Sequence, residues 1–185
     1  AYNSSLPIPQ TNHLNITVIS NSDKTGLLYL NWTAYSALKL PNTDKRPVFA
    51  TDSGVYMFYC PAGQAGRLEK YDPSGNLIWV STISDFTLQA NAFDLWSDGT
   101  YLYGCGTTLD TTLEGNDAFL VKWDLEGNEI STKIFGNTTF DETAKSIWGD
   151  STYLYILSEL ESSSNYGLLL NKFEKSNLNS IWNQT

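Results

Sequence analysis

The sequence has few of the residues from which catalytic and metal sites are usually built. Its 185 residues include one histidine, His13, and two cysteines, Cys60 and Cys105. A Ser-His-Asp triad or a multi-histidine metal centre would have to form around His13 alone, so we interpret His13 as a surface residue. The cysteines have neither CxxC spacing nor histidine partners. We therefore expect no catalytic residues, no metal and no cofactor.

Basic residues and long apolar runs are also scarce. Eleven Lys and Arg stand against 20 Asp and Glu, which gives a net charge of −9. Proteins that bind nucleic acid neutralise phosphates with clustered basic residues, so we expect no nucleic-acid partner. No stretch of about 18 apolar residues is present, so we expect no membrane insertion. The first residues, AYNSSLPIPQ, lack the features of a signal peptide, and we expect any such signal to be cleaved or to lie outside this chain.

Aromatic residues, by contrast, are abundant. They make up 14% of the chain (six Trp, eleven Tyr and eight Phe), and there is a single methionine. Flat rings pack well on a pleated sheet, and no segment keeps the period of an amphipathic helix. The composition predicts an all-β protein.

Two segments recur along the chain, and each reads as strand, turn, strand. The first is ATDSGVYMFYC at 50–60, LWSDGTYLYGC at 95–105 and IWGDSTYLYIL at 147–157. The second is GRLEKYDPSGNLIW at 66–79, DAFLVKWDLEGNEIS at 117–131 and, more loosely, GLLLNKFEKSNLNSIW at 167–182. Spacings of about 45 to 52 residues are close to those of four-stranded propeller blades. We predict three blades, at about 47–91, 92–140 and 141–185.

Residues 1–46 do not match a full repeat. We predict an extended arm over 1–10 and a β-hairpin over 14–36, with a polar turn at 21–26, which could be the last two strands of a preceding blade. Three and a half blades cannot close into a ring. We therefore expect another subunit, or blades missing from this chain, to complete the propeller, with self-association through open blade edges and the arm.

The repeated strings D-G-T-Y-L-Y and V-K-W-D-x-x-G-N resemble the SBBP-type β-propeller repeats of bacterial and archaeal surface proteins. The resemblance covers about three repeats, from residue 47 to residue 185. It implies a propeller fold in an extracellular or cell-surface setting, mostly without an assigned enzymatic activity.

The cysteines and two tryptophans fall at repeated positions. Cys60 and Cys105 align with each other, and the distance expected between adjacent blades favours two buried thiols, although an oxidising compartment would favour a disulfide. Trp79 and Trp182 align in the fourth strand, so we expect both to pack between blades.

Five N-x-S/T sequons predict surface N-glycosylation, favoured by the polar segments around two of them. They lie at Asn3, Asn15, Asn31, Asn137 and Asn183.

Two groups of carboxylates are candidate sites. The acidic loop from Asp110 to Asp117 lacks the order of a calcium loop, and we interpret it as solvated. Asp94 and the pair Asp141-Glu142 could face a central channel and cleave glycosides, but nothing in the sequence marks them as an acid and its partner.

We predict a non-enzymatic structural or interaction module of a cell-surface assembly or filament. The alternative is a carbohydrate-binding or carbohydrate-cleaving propeller with its site at the channel mouth.

Overall fold

The computed structural model describes residues 47–61, 65–83, 90–110 and 115–184. The predicted hairpin 14–36, the arm, His13 and the sequons at Asn3, Asn15 and Asn31 lie outside these residues. Within the described part of the chain, no helix is long and apolar enough to cross a membrane.

The described residues form twelve strands in three antiparallel sheets of four. The first sheet contains β1 (Val48–Thr51), β2 (Gly54–Tyr59), β3 (Arg67–Tyr71) and β4 (Leu77–Thr82). The second contains β5 (Ala90–Ser97), β6 (Tyr101–Asp110), β7 (Gly115–Asp124) and β8 (Glu129–Phe135). The third contains β9 (Asp141–Gly149), β10 (Tyr153–Glu161), β11 (Tyr166–Glu174) and β12 (Ser180–Gln184). In every sheet the strands follow one another in chain order.

Two of the turns between third and fourth strands are built on an aspartate and a glycine. Asp72 accepts hydrogen bonds from the backbone N–H groups of Ser74 and Asn76 at 2.8 and 2.9 Å. Gly75 has φ of 86°, a left-handed conformation that costs glycine little. Asp124 and Gly127 repeat this arrangement in the second sheet.

The sheets pack face to face through two cores. One core joins the first and second sheets and includes Phe58, Leu68, Phe119 and Trp123; Gly104 lets the Phe58 ring approach, because a Cβ there would lie 2.7 Å from it. The other joins the second and third sheets. The first strand of the second sheet, β5, contacts the first strands β1 and β9 of its neighbours, whereas the fourth strands are mostly exposed or half-buried. The predicted fold class, all-β with three four-stranded propeller blades, is confirmed.

The strand register corrects one alignment made from the sequence. Tyr56, Tyr103 and Tyr155 lie opposite Lys70, Lys122 and Lys172, respectively, on the neighbouring third strands. Counting from these pairs, Phe58 and not Cys60 is equivalent to Cys105. The alignment of Cys60 with Cys105 was therefore wrong by two residues. A shift of two keeps every side chain on the same face of a strand, so the hydrophobic pattern alone could not reveal it.

The two tryptophans predicted to pack between blades have different surroundings. Trp79 packs against the first core, with its ring centroid 5.9 Å from that of Tyr56. Trp182 lies on the third sheet and is 36% exposed. The interblade position is thus found for Trp79 but not for Trp182, which has no described blade beyond it.

Candidate functional site

The second and third sheets carry matching faces on their far sides from the first sheet. We call the residues Trp96, Tyr103, Cys105, Leu120 and Lys122 the second-sheet face, and Trp148, Tyr155, Leu157, Leu170 and Lys172 the terminal face. The match follows from register. Tyr103 pairs with Trp96 and Lys122, as Tyr155 pairs with Trp148 and Lys172.

The second-sheet face is covered by the third sheet. Tyr103, Cys105 and Leu120 are fully buried. The thiol of Cys105 donates a hydrogen bond to the carbonyl of Ala144 at 3.8 Å. Lys122 Nζ donates to the carbonyl oxygen of Lys175 at 2.9 Å. Polar groups on the second-sheet face therefore reach the backbone of the next blade.

A small cage at the edge of this interface holds a lysine side chain. Asp98, Trp96 and Tyr103 form what we call the second-sheet cage, and Lys175 of the third sheet enters it. Lys175 Nζ lies 3.2 Å from Asp98 Oδ2 and 4.6 Å from the Trp96 ring centroid. The pKa of Asp98 is lowered, although partial burial opposes this, because backbone N–H groups and Lys175 stabilise the carboxylate.

The terminal face, in contrast, is open to solvent. Trp148 is 59% exposed, Leu157 39% and Leu170 38%. Leu168, on the same side of β11, is 58% exposed. Within the described residues, no strand lies over these side chains. The terminal face is therefore an unpartnered, largely apolar sheet face.

One margin of the terminal face is polar. Lys145 and Glu159 form an ion pair at 2.9 Å. They line an open depression of about 360 Å³ together with Thr143, Tyr166 and Leu168, among others. Charged groups thus border the apolar area, as is common at the rim of a protein interface.

Of the carboxylates considered for a channel site, Asp94 links two sheets, and Glu142 is buried beside the connection between β8 and β9. Asp94 Oδ2 accepts hydrogen bonds from Ile147 N at 2.9 Å and Ser146 Oγ at 3.0 Å, and so links β5 to β9. Glu142 is 1% exposed, and its Oε1 accepts a hydrogen bond of 2.6 Å from Asn137 Nδ2. Burial, together with the nearby charges of Asp117 and Asp141, raises the pKa of Glu142 to about 7. These contacts do not place Asp94 and Glu142 in one hydrogen-bonded pair.

The acidic loop also differs from its interpretation. Asp117, predicted to be solvated, lies on β7 and is 1% exposed. Residues 111–114 lie outside the described part of the chain. Among the described residues, no cluster of three or more His, Cys, Asp or Glu side chains could hold a metal ion.

Both cysteines are buried and free, so the disulfide that the sequence left open is absent from the structure. Cys60 belongs to the first core and Cys105 to the second, on opposite sides of the second sheet. Burial raises the pKa of the Cys60 thiol to about 12, partly offset by a hydrogen bond with the backbone of Ala92.

Two predicted glycosylation sites lie in the described residues. Asn183 is exposed on strand β12. Asn137 is exposed as a residue, but its amide side chain bonds inward to Glu142 and outward to the backbone N–H groups of Thr139 and Phe140. Glycosylation of both stays a prediction.

Sequence reasoning missed the cage. The strings W-S-D-G-T-Y-L-Y and W-G-D-S-T-Y-L-Y were interpreted as strand and turn, and the role of the aspartate in them was not recognised. The recurrence of tryptophan, aspartate and tyrosine at fixed spacing was the available signal.

The chain is similar to a solved structure of the GH43 endo-arabinanase from Bacillus licheniformis. Identity is 11%, the TM-score is 0.34, and the match covers 78% of this chain and 79% of that chain. No protein-family model and no curated protein match the chain. At this identity and score no residue role is transferred, and the resemblance to SBBP-type repeats stays a prediction.

This comparison corrects one expectation. The sequence led us to predict a non-enzymatic protein, and a solved structure that the chain resembles is an endo-arabinanase. The exclusion of enzymatic activity is therefore wrong as it was stated, and it is not retained. The residues that would perform catalysis are not identified by the likeness.

Proposed function

We propose that this protein is a propeller-type interaction module that docks a further blade on its terminal face. The observation that carries this proposal is the repetition of one docking face. The second-sheet face is buried under a blade, and the terminal face presents the same residue types in the same register to solvent. A blade that fits the first face chemically also fits the second.

The exposed area favours association on physical grounds. Trp148, Leu157, Leu168 and Leu170 lie side by side on one sheet, and contiguous exposed apolar patches of this kind mark interaction surfaces. Strand β12 also presents an unpaired edge, since among the described strands it pairs only with β11. Both features are removed from water if another subunit covers the third sheet.

The partner in this proposal is another copy of the chain, assembled at a cell surface. This proposal combines three compatible properties: self-association through open blades, glycosylation at exposed sequons and an extracellular location. Two supports are the exposed Asn183 on β12 and the net charge of −9, which favours neither nucleic acid nor anionic lipid as a partner. Copies joined end to end would grow a filament, whereas a closed pair would form a ring.

Light scattering across a concentration series tests the proposal. We expect the full chain to form dimers or larger species, and Leu168→Glu to shift it towards monomer, because a buried charge opposes docking. Ile130→Glu is the matched control, since Ile130 is an exposed apolar residue on β8, outside the terminal face. A monodisperse monomer at every concentration, or an equal effect of both variants, would contradict the proposal.

A further inference from the structure

We propose that Asp150, Trp148 and Tyr155 form a binding site for a lysine ammonium group, supplied by the N-terminal hairpin of a second copy. We call this site the terminal cage. The inference rests on the proposed function, and it identifies the chemistry by which the docking blade is recognised.

The second-sheet cage is an occupied template for the terminal cage. Tyr103 OH donates to Asp98 Oδ2 at 3.1 Å, and Tyr155 OH donates to Asp150 Oδ2 at 3.0 Å. The ring pair Trp96–Tyr103 has centroids 5.7 Å apart at 34°, and Trp148–Tyr155 has centroids 5.9 Å apart at 31°.

The carboxylate of each cage is held in the same way. Asp98 Oδ1 accepts from the backbone N–H groups of the residues two and three positions later, at 3.0 and 2.8 Å. Asp150 Oδ1 does the same at 2.7 and 2.8 Å. These bonds lower the pKa of Asp150, so its carboxylate is ionised at neutral pH. The terminal cage is thus formed before any ligand arrives.

The two cages differ in occupancy. Lys175 Nζ fills the second-sheet cage. Among the described residues, no lysine or arginine forms an ion pair with Asp150. A carboxylate beside exposed aromatic rings is a favourable site for an alkylammonium group, because both the ion pair and the cation–π contact attract it.

A second lysine, next to each cage, can bind the backbone carbonyl of the residue whose side chain fills the cage. Lys122 Nζ lies 4.0 Å above the Tyr101 ring and donates to the carbonyl of Lys175, the residue whose side chain fills the cage. Lys172 lies 3.7 Å above the Tyr153 ring in the same way. The terminal face can therefore hold both the ammonium group and the backbone carbonyl of one incoming lysine.

The first interface shows that cage and ligand change together. Thr51, five residues before Tyr56, stands where Asp98 stands before Tyr103. The position of Lys175, three residues after Lys172, is held by Leu125 after Lys122, and Leu125 packs against the first core. The uncharged Thr51 thus goes with an apolar residue at the ligand position, and the acidic Asp98 goes with a base. We therefore expect a basic residue at the ligand position of the terminal cage, beside Asp150.

The sequence restricts which segment supplies that base. The ligand residues Leu125 and Lys175 both follow a third strand, in the turn before the fourth. The corresponding residue of the first sheet is Pro73, which has no charge. Lys24 lies in the predicted turn 21–26 of hairpin 14–36, which could be the last two strands of a blade. Lys24 of a second copy is therefore the ligand that we assign.

The cage can be tested on the protein without any assembly. The probe is N-acetyl-lysine-N-methylamide, titrated into dilute Lys24→Met protein, in which Lys24 of a second copy cannot fill the terminal cage, while the indole N–H signals of the tryptophans are followed by NMR. We expect Trp148 to shift and Trp96 to stay, since Lys175 already fills the second-sheet cage. Asp150→Asn should weaken binding about fivefold or more. No shift of Trp148, or an equal shift with the Nε-acetylated probe, would overturn the cage.

The occupant is tested by zero-length carbodiimide cross-linking of mixed ¹⁴N- and ¹⁵N-labelled protein. Asp98 should couple to Lys175 within one chain at any dilution, which serves as the internal control. Asp150 should couple to Lys24 between chains, and Lys24→Met should abolish that product. Dimers without it would overturn the occupant. Absence of dimers would instead contradict the proposed function, and the lysine titration would still decide the cage.

Discussion

The second-sheet face and the terminal face have nearly the same chemistry and opposite surroundings. Tyr103 and Leu120 are fully buried. Of their equivalents on the terminal face, Tyr155 is half-buried and Leu170 is 38% exposed. The residue types on a blade face are therefore set by the docking that the repeat performs, and burial depends on whether a neighbour is present. The partner proposed for the terminal face would remove Trp148, Leu157 and Leu170 from water, as the third sheet does for the equivalent side chains of the second.

Truncation of a leucine on each face should give the largest difference between them. Leu120→Ala removes a buried side chain from the second core and should lower the free energy of unfolding by about 2–5 kcal/mol. Leu170→Ala should cost less than about 1 kcal/mol in the monomer, since Leu170 is partly in water already. Urea unfolding of dilute protein measures both. Equal costs would show that the terminal face is covered within one chain.

Removing the lysine from the occupied cage should have the next largest effect. Lys175→Met leaves Asp98 without its ammonium partner in a mostly buried setting and should cost about 1–3 kcal/mol. Asp98→Asn should cost a similar amount, and the double variant should cost less than the sum of both. Asp150→Asn is the control on the terminal face and should cost less, because an asparagine there can still accept from the backbone N–H groups and no ion pair with Asp150 is lost among the described residues. Additive losses for Lys175 and Asp98 would show that the pair is not coupled.

Between about pH 4.5 and pH 7, stability should depend on pH through the buried carboxyl group of Glu142. The pKa of Glu142 rises from its ordinary 4.5 to about 7, so the folded state holds this proton more tightly than the unfolded chain. The resulting stabilisation is complete below pH 4.5 and is lost as pH rises through about 7. Glu142→Gln should flatten the curve of unfolding free energy against pH in this interval. Glu159→Gln, on the exposed margin, should preserve its slope.

Thiol reactivity compares the second-sheet face with the terminal face with the smallest expected effect on stability. Leu157 is the register equivalent of Cys105, so Leu157→Cys places a thiol on the terminal face where the native one is buried. We expect iodoacetamide to modify the introduced thiol readily in dilute, monomeric protein and to leave Cys60 and Cys105 unmodified until denaturant is added. Mass spectrometry of the alkylated peptides distinguishes the three thiols. Slow modification of the introduced thiol would mean that the terminal face is already occupied.

Much of the fold could be predicted from local sequence signals. Alternating aromatic residues marked the strands, and Asp72 with Gly75 marked a turn, because both signals act over a few residues. The equivalence of Cys60 with Cys105 could not be corrected in the same way. A two-residue shift leaves the pattern of inward and outward side chains intact, and only the hydrogen-bonded pairing of Tyr56 with Lys70 fixes the register.

The candidate site was less accessible to sequence reasoning. The carboxylates singled out, Asp94 and Glu142, were noticed as acids, but their partners Ile147 and Asn137 depend on how strands approach in space. Asp98 and Lys175 are 77 residues apart, and no local pattern connects them. Their pairing became visible only when the third sheet was placed on the second.

The sequence by itself determined that this chain is a β-protein of repeated blades with acidic charge, since strand alternation, turn chemistry and composition are local properties. Tertiary structure decided which of the repeated faces is buried and which is open. Trp96 and Trp148 stand in near-identical local sequences, and only the third sheet's placement covers one and leaves the other in water. Burial depends on packed neighbours, so equivalent residues in a repeat differ in burial according to whether another sheet packs against them.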